Sequence, residues 1–377
     1  MRVDTEALID YDEDGRQFAD TSAEFVRREV APNLDRWRSD GAVPKSFFSR
    51  AGETGLLGVQ APCAAGGLGV TDLRLAELPI RSLVDVGAVG TALAVGVHAS
   101  IALPIIAAWG SGQSLELLSD LVSGDMVASV AGLNGKVELS DEGVLRGVAY
   151  GVPSAAIASI FLVVAEDEAG GSRIVCVEQD SAIVHHELRH LGAGDAGART
   201  VEFDDVSVEA YTVLPDGATD DLLTRVAVLT GGISIMAAEF CLTRTVEYVN
   251  ERQVFGRPVA LFDNTRVQVG QMFAAIRMGR ALHTAVLTHG DGSDSAAENA
   301  IALADRGIEL YSRSADLGVQ LHGGYGYMTE YPIAHAYAAA RFLELVVRGL
   351  PIMQERLARA AGLVTRPLAS ATPRAVG

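Results

Sequence analysis

The sequence predicts three successive zones: an N-terminal all-α domain, a middle β-domain and a C-terminal four-helix bundle. The hydrophobic period changes from helical to strand-like near residue 126 and back again near 217, and the last zone has segments long enough for an antiparallel bundle. The domains are placed at 1–125, 126–216 and 217–364. Residues 365–377, with Pro367, Pro373 and small side chains, are expected to be a disordered tail.

In the first zone Phe18, Phe25 and Val26 share one helical face, Leu34 and Trp37 continue it, and Pro44 or Ser46 can open the next helix. Gly66, Gly67 and Gly69 mark a turn. Residues 86–109 are rich in Ala, Val, Leu and Ile, but His98, Ser100 and Pro104 interrupt them and basic flanks are lacking. They read as buried helices and not as a membrane span, which needs roughly 20 predominantly apolar residues. In the second zone the β-rich runs are 157–164, 172–177 and 199–203, punctuated by Gly, Asp and Pro. In the third, Asp263 or Asn264 is the expected N-cap of a segment running to about His289, and Ser293 or Asp294 that of one running to Val319. Gly323, Gly324 and Gly326 then break the pattern before Tyr331 and Pro332.

The 377 residues, 49% of them hydrophobic, can bury a large core. Thirty Lys and Arg against 48 Asp and Glu give a net charge of −18, which repels phosphate backbones and anionic lipid, so neither nucleic acid nor a membrane is an expected partner. Cys63, Cys176 and Cys241 lie far apart and form no CxxC pair, which argues against a disulfide framework or a zinc cluster. The acidic start, Met1 to Glu13, does not have the form of a signal or transit peptide, and a cytoplasmic location is expected.

Two motifs in the last zone carry a resemblance: Arg252-Gln253-Val254-Phe255-Gly256, and Gln320-Leu321-His322-Gly323-Gly324-Tyr325-Gly326-Tyr327 followed by Glu330-Tyr331-Pro332. Gly55-Leu56-Leu57-Gly58, Gly66-Gly67-Leu68-Gly69, Trp109-Gly110 and Phe203-Asp204-Asp205-Val206 add to it in the right order. With them the chain resembles the acyl-CoA dehydrogenase family from about residue 14 to 362. The resemblance implies FAD held between the β-domain and bundle of one subunit and covered by its neighbour. On that covering surface Arg252 offers a guanidinium fork for a diphosphate, Phe255 a ring for adenine and Gln320 an amide donor. Gly323 and Gly324 let backbone N–H groups approach phosphate oxygens.

The family removes an α-proton from an acyl-CoA with a glutamate while hydride passes from the β-carbon to flavin. Members place that base either on the loop after the glycine motif or before an arginine at the start of the first bundle helix. Here the first position is Val347 and the second is Thr224, ahead of Arg225, so neither known base is present. Glu344 and Asp221, three residues before each, are the substitutes to weigh, and their ordinary reading is a solvated or capping carboxylate. The flavin-facing elements depart too. A Thr-Glu-Pro-like loop is represented by Ala131-Gly132-Leu133-Asn134-Gly135, a Trp-x-Thr element by Gly151-Val152-Pro153, an Arg-Asp pair by Ala338 and Ala339, and a Gln by Asp263.

The losses fall on groups that would hold FAD within this subunit, whereas the groups that would cover a neighbour's FAD remain. That pattern suits a hetero-oligomer with a homologous subunit carrying the base, as in heteromeric actinobacterial members acting on steroid side chains; otherwise a homodimer or homotetramer is expected. Three functions therefore stand: a base-less subunit completing a partner's FAD site, a self-sufficient acyl-thioester oxidoreductase with a relocated base, and a non-redox scaffold binding an acyl-thioester or a protein. A co-purifying homologue, yellow colour in isolation, and lasting absence of colour discriminate them in that order. His185, His186 and His190 are read as surface or strand histidines and not as metal ligands, because no Cys or carboxylate stands at ligand spacing. No Ser lies in a G-x-S-x-G context, and Cys241 sits on an apolar helix as a core residue.

Overall fold

A computed structural model describes residues 11–208, 212–289, 293–348 and 350–363; the expected tail over 365–377 lies outside the described residues. The first zone holds α1 (Glu13–Glu29), α2 (Leu34–Asp40), α3 (Lys45–Glu53), α4 (Leu73–Ala76), α5 (Leu78–Asp85), α6 (Val89–Gly96), α7 (Leu103–Trp109), α8 (Gln113–Glu116) and α9 (Leu118–Ser123). Asp12 caps α1 by accepting from the Gly15 N–H, with Glu13 and Asp14 in the first turn and Arg27 and Arg28 in the last, a charge order that complements the helix dipole. Pro32 sits in the 3-10 turn between α1 and α2, so Leu34 and Trp37 belong to a new helix and do not continue the first. Phe25, Trp37, Phe47 and Phe48 interlock as tilted and edge-to-face pairs, with ring centroids 5.3–5.8 Å apart.

The middle zone is a seven-stranded mixed sheet of β1 (Ala128–Ala131), β2 (Gly135–Leu139), β3 (Val144–Val152), β4 (Ile160–Asp167), β5 (Ser172–Glu178), β6 (Ile183–Glu187) and β7 (Arg199–Ser207). The order is β1-β4-β2-β3-β7-β6 with β5 on the other edge of β4; β1 and β2 lie parallel to β4 and the remaining pairs are antiparallel. Phe161, Val175, Val201 and Phe203 form a small core of its own, separate from the large helical core.

The last zone packs α10 (Gly217–Glu251), a short hairpin of β8 (Gln253–Val254) and β9 (Arg257–Pro258), then α11 (Asp263–Thr288), α12 (Asp294–His322), α13 (Pro332–Val346) and α14 (Pro351–Ala360). Helices α10 to α13 are the four-helix bundle. Ser293 caps α12 through the Ala296 N–H, as expected, but the helix runs on to His322, three residues past Val319. The N-cap of α11 is the extended Phe262, which offers no side-chain acceptor, so Asp263 is already the first helical residue. Two helical stretches, Val89–Trp109 and Gly217–Glu251, are long and apolar enough to cross a membrane; 89% of each apolar window is buried inside the protein instead.

Candidate functional site

Val347 follows the last residue of α13 and is buried, and it faces the end of β3. With Gly132, Asn134, Gly151, Pro153 and Leu229 it lines one small apolar cavity of about 40 Å³. Chain segments that the sequence associated with the flavin ring thus do converge. The space admits a few waters at the roughly 10–15 Å³ each needs, and a three-ring isoalloxazine does not fit it. The small volume has a local cause: Val346 packs onto the bare α-carbon of Gly151, whose φ of +64° holds it in the left-handed region.

The two substitute carboxylates are tied down and neither is simply solvated. Glu344 accepts from Arg341 at 2.6 Å and from Arg348 at 3.2 Å. Burial raises its pKa, but those hydrogen bonds and charges outweigh burial and hold the carboxyl below its usual value. Val347 is the C-cap of α13 and its N–H still bonds the Leu343 carbonyl, so Glu344 lies about one turn back along the helix, with its carboxyl turned to the two arginines. Asp221 accepts from Trp109 Nε1 at 2.9 Å and from Arg225 Nε at 2.8 Å, which pins α10 to α7. Thr224 donates back to the Asp220 carbonyl.

The five expected cofactor-contacting residues lie at one exposed end of the bundle. Arg252 leaves α10 in an extended conformation, and its guanidinium lies over Tyr325, 5.6 Å from the ring centroid. Phe255 tips the β8/β9 hairpin at φ +51° and is 93% exposed. Gln320 projects from the last turn of α12, while a β-carbon at Gly323 or Gly324 would meet no atom within 4 Å. Tyr248 joins the two segments: it stacks on His322 at 4.0 Å and donates to the His322 carbonyl.

A larger feature had no signature in the sequence. A chamber of about 800 Å³ opens between the first and last zones, within the usual range for small-molecule sites. Leu73, Ile80, Pro104, Trp109, Val228 and Val286 supply much of its apolar wall, with Asp221, Thr224 and Arg225 at one end and Glu77 in the wall at the other. Leu229 lines both this chamber and the small cavity, and packs against Gly96 between them. Glu77 bonds His283 from 206 positions away, and Gly232 passes beside the pair. One signal could have flagged both: a Glu and a His, each embedded in an apolar helical run.

The remaining histidines do not converge. His185 meets Gln179, His186 meets Glu202, and His190 meets the Gly192 carbonyl. Among the described residues no group of three or more His, Cys, Asp or Glu is placed to hold a metal ion.

Comparison with known proteins gives concordant results. The family model for "Acyl-CoA dehydrogenase, N-terminal domain" matches residues 12–125, and that for "Acyl-CoA dehydrogenase, C-terminal domain" matches 219–361. The long-chain specific acyl-CoA dehydrogenase of Sus scrofa mitochondria is 26% identical over 369 residues, covering 91% of this chain and 85% of that protein. A glutaryl-CoA dehydrogenase of Desulfococcus multivorans is 26% identical, covering 84% and 88%. Among solved structures, an acyl-CoA dehydrogenase from Geobacillus kaustophilus superposes with a TM-score of 0.85 at 23% identity, covering 94% and 99% of the two chains. A glutaryl-CoA dehydrogenase from Mycobacterium smegmatis, solved in complex with FADH2, gives 0.83 at 21% identity, covering 96% and 97%.

Proposed function

The chain belongs to the acyl-CoA dehydrogenase family, whose members include FAD-dependent dehydrogenases, and from that premise we propose that it acts as a base-less subunit completing the FAD site of a homologous partner. The complex would carry out α,β-dehydrogenation of an acyl-CoA thioester, with the partner supplying the base and the intact β-domain. FAD bound there supplies the hydride acceptor. This chain supplies Arg252, with two parallel N–H donors for a diphosphate, the Gly323 and Gly324 backbone, the Gln320 amide and the Phe255 ring for adenine.

The observation that carries the reading is a contrast of space. The residues suited to a neighbour's cofactor stand exposed at one end of the bundle, whereas the cavity lined by Val347, Gly151 and Pro153 has only about 40 Å³. A self-sufficient enzyme with Glu344 as base is disfavoured, since a general base needs a pKa near the working pH and this carboxyl is held low by two arginines. The non-redox scaffold is the second reading, favoured by a large chamber whose wall shares Leu229 with the small cavity.

Expressing the chain alone and with its nearest encoded homologue, then recording visible spectra, tests this. The expected result is a colourless chain alone and a yellow complex with less than one flavin per chain. A yellow protein in isolation, reduced by acyl-CoA, would overturn it.

A further inference from the structure

We propose that the polar cavity between α2, the 190–195 loop and the start of α13 is a binding site for a small oxyanion, a phosphate or sulfate group, held by Arg38, His190 and His335. None of the three is among the residues assigned to a partner's FAD, so the site is independent of the subunit role.

The cavity has a volume of about 310 Å³, at the lower end of the range for small-molecule sites. Two glycines set the loop that walls it: a β-carbon at Gly192 would fall 2.5 Å from that of Ala338 on α13, and one at Gly194 would fall 2.5 Å from the Arg38 carbonyl oxygen on α2. The loop therefore lies directly on both helices and brings His190 to the same space as Arg38 and His335. Ala339 forms part of the wall, at a position where the family resemblance leads to an aspartate. A methyl group there leaves room and removes one negative charge.

The polar groups suit an anion and set the conditions for its binding. A guanidinium has five N–H donors; Arg38 Nη2 bonds the Gly87 carbonyl at 2.8 Å and Nη1 bonds Asp35 at 3.2 Å, and these two bonds leave it three more. The Asp35 side chain is 93% exposed, so an anion can displace it at little cost. Asp195, also in the wall, has its Oδ2 engaged by the Thr91 N–H and hydroxyl. His190 Nδ1 bonds the Gly192 carbonyl and His335 Nε2 bonds the Thr329 carbonyl at 2.9 Å; a carbonyl only accepts, so these nitrogens carry the ring protons. The neutral rings keep a lone pair on His190 Nε2 and on His335 Nδ1, and protonation turns each into a donor.

Around the rings stand one guanidinium, Arg38, and two carboxylates, Asp35 and Asp195, with Phe342 of α13 packed on His190. The local charge thus moves from −1 with both rings neutral to +1 with both protonated. Burial and the Arg38 charge hold the His335 pKa below its usual value, so this ring charges in acid or when an anion shares its proton. Anion binding and proton uptake are therefore linked.

Calorimetric titration of the full chain with sodium sulfate, whose own charge stays constant, at pH 6 and pH 8 and at fixed ionic strength, tests the site. Sulfate is expected to bind about ten- to a hundred-fold more tightly at pH 6, the range for hydrogen bonds to a charged partner, with net proton uptake read from two buffers of different ionisation heat. His190→Gln and His335→Gln should each reduce the pH dependence. Ala339→Asp should abolish binding, whereas Ala339→Asn, of the same size and uncharged, should retain it. Inorganic phosphate against glycerol phosphate at one pH tells whether a free anion or a monoester is the better ligand. No sulfate binding at pH 6, equal affinity at both pH values, a pH dependence unchanged in both histidine variants, or equal effects of Ala339→Asp and Ala339→Asn in folded protein would each overturn the proposal.

Discussion

Val346, the last residue of α13, sits so close to Gly151 of β3 that a β-carbon at Gly151 would lie 2.5 Å from its Cγ1. The bundle and the β-domain therefore meet directly here, at the place where the proposed subunit role leaves no room for a cofactor ring. On the proposed base-less role, introducing a carboxylate by Val347→Glu is expected to give no flavin reduction in the chain alone, measured anaerobically with acyl-CoA and added FAD, because the small cavity beside it is unchanged. Gly151→Ala should destabilise by about 1–3 kcal/mol through overpacking alone, read as a lowered urea midpoint.

Arg252 is exposed and its guanidinium lies over Tyr325. If it meets a partner's diphosphate, Arg252→Ala should lower flavin content of the complex about ten- to a hundred-fold in affinity terms while leaving the isolated chain's melting temperature nearly unchanged. Glu344→Ala, which removes the acceptor shared by Arg341 and Arg348, should do the reverse: lower stability and leave flavin content intact. Loss of flavin reduction in Glu344→Ala with full flavin content would return the base to this chain.

Period and punctuation made the three zones legible, and with them the Ser293 cap and the break at Gly323, because each depends on neighbours within a few positions. Phe262 was not legible as a cap, since an N-cap without a side-chain acceptor leaves no compositional trace. The candidate site divides in the same way. Arg252, Phe255 and Gln320 were marked by local motifs, whereas the chamber draws its walls from Gln60 to Arg356 and has no local pattern at all. Nor could spacing show that Glu344 is clamped by two arginines, one of them beyond the end of the helix.

Asp195 illustrates such a distant tie. It is buried, and its Oδ2 accepts from the Thr91 N–H at 2.6 Å and the Thr91 hydroxyl at 2.8 Å. Thr91 lies in the first turn of α6, whose own N-cap, Ala88, has no side-chain acceptor, so the carboxylate caps the helix from 104 positions away. Asp195→Ala should cost about 1–3 kcal/mol by leaving buried donors unpaired. Asp195→Asn, which keeps one acceptor oxygen, should cost less; equal losses in denaturant melts would show that charge and not capping is what matters.

His98 gives the fold a pH dependence of defined sign. It lies fully buried in the π-helical turn between α6 and α7, where Ala128 N–H donates to Nδ1 at 3.0 Å and Nε2 donates to the Leu121 carbonyl at 2.9 Å. The ring is thus neutral and joins α9 to β1. Burial pushes its pKa down to about 4, against about 6.5 in an unfolded chain. Between these values the unfolded state binds the extra proton, so this contribution is fully present above about pH 6.5, declines as pH falls toward 4, and changes no further below. The span amounts to about 3 kcal/mol at 1.36 kcal/mol per unit. His98→Gln can keep one donor and one acceptor but cannot ionise. Urea midpoints at several values between pH 7.5 and 4 should therefore converge: wild type starts more stable and loses its advantage over the variant as pH falls. A constant difference across that range would mean that His98 is not the group that titrates.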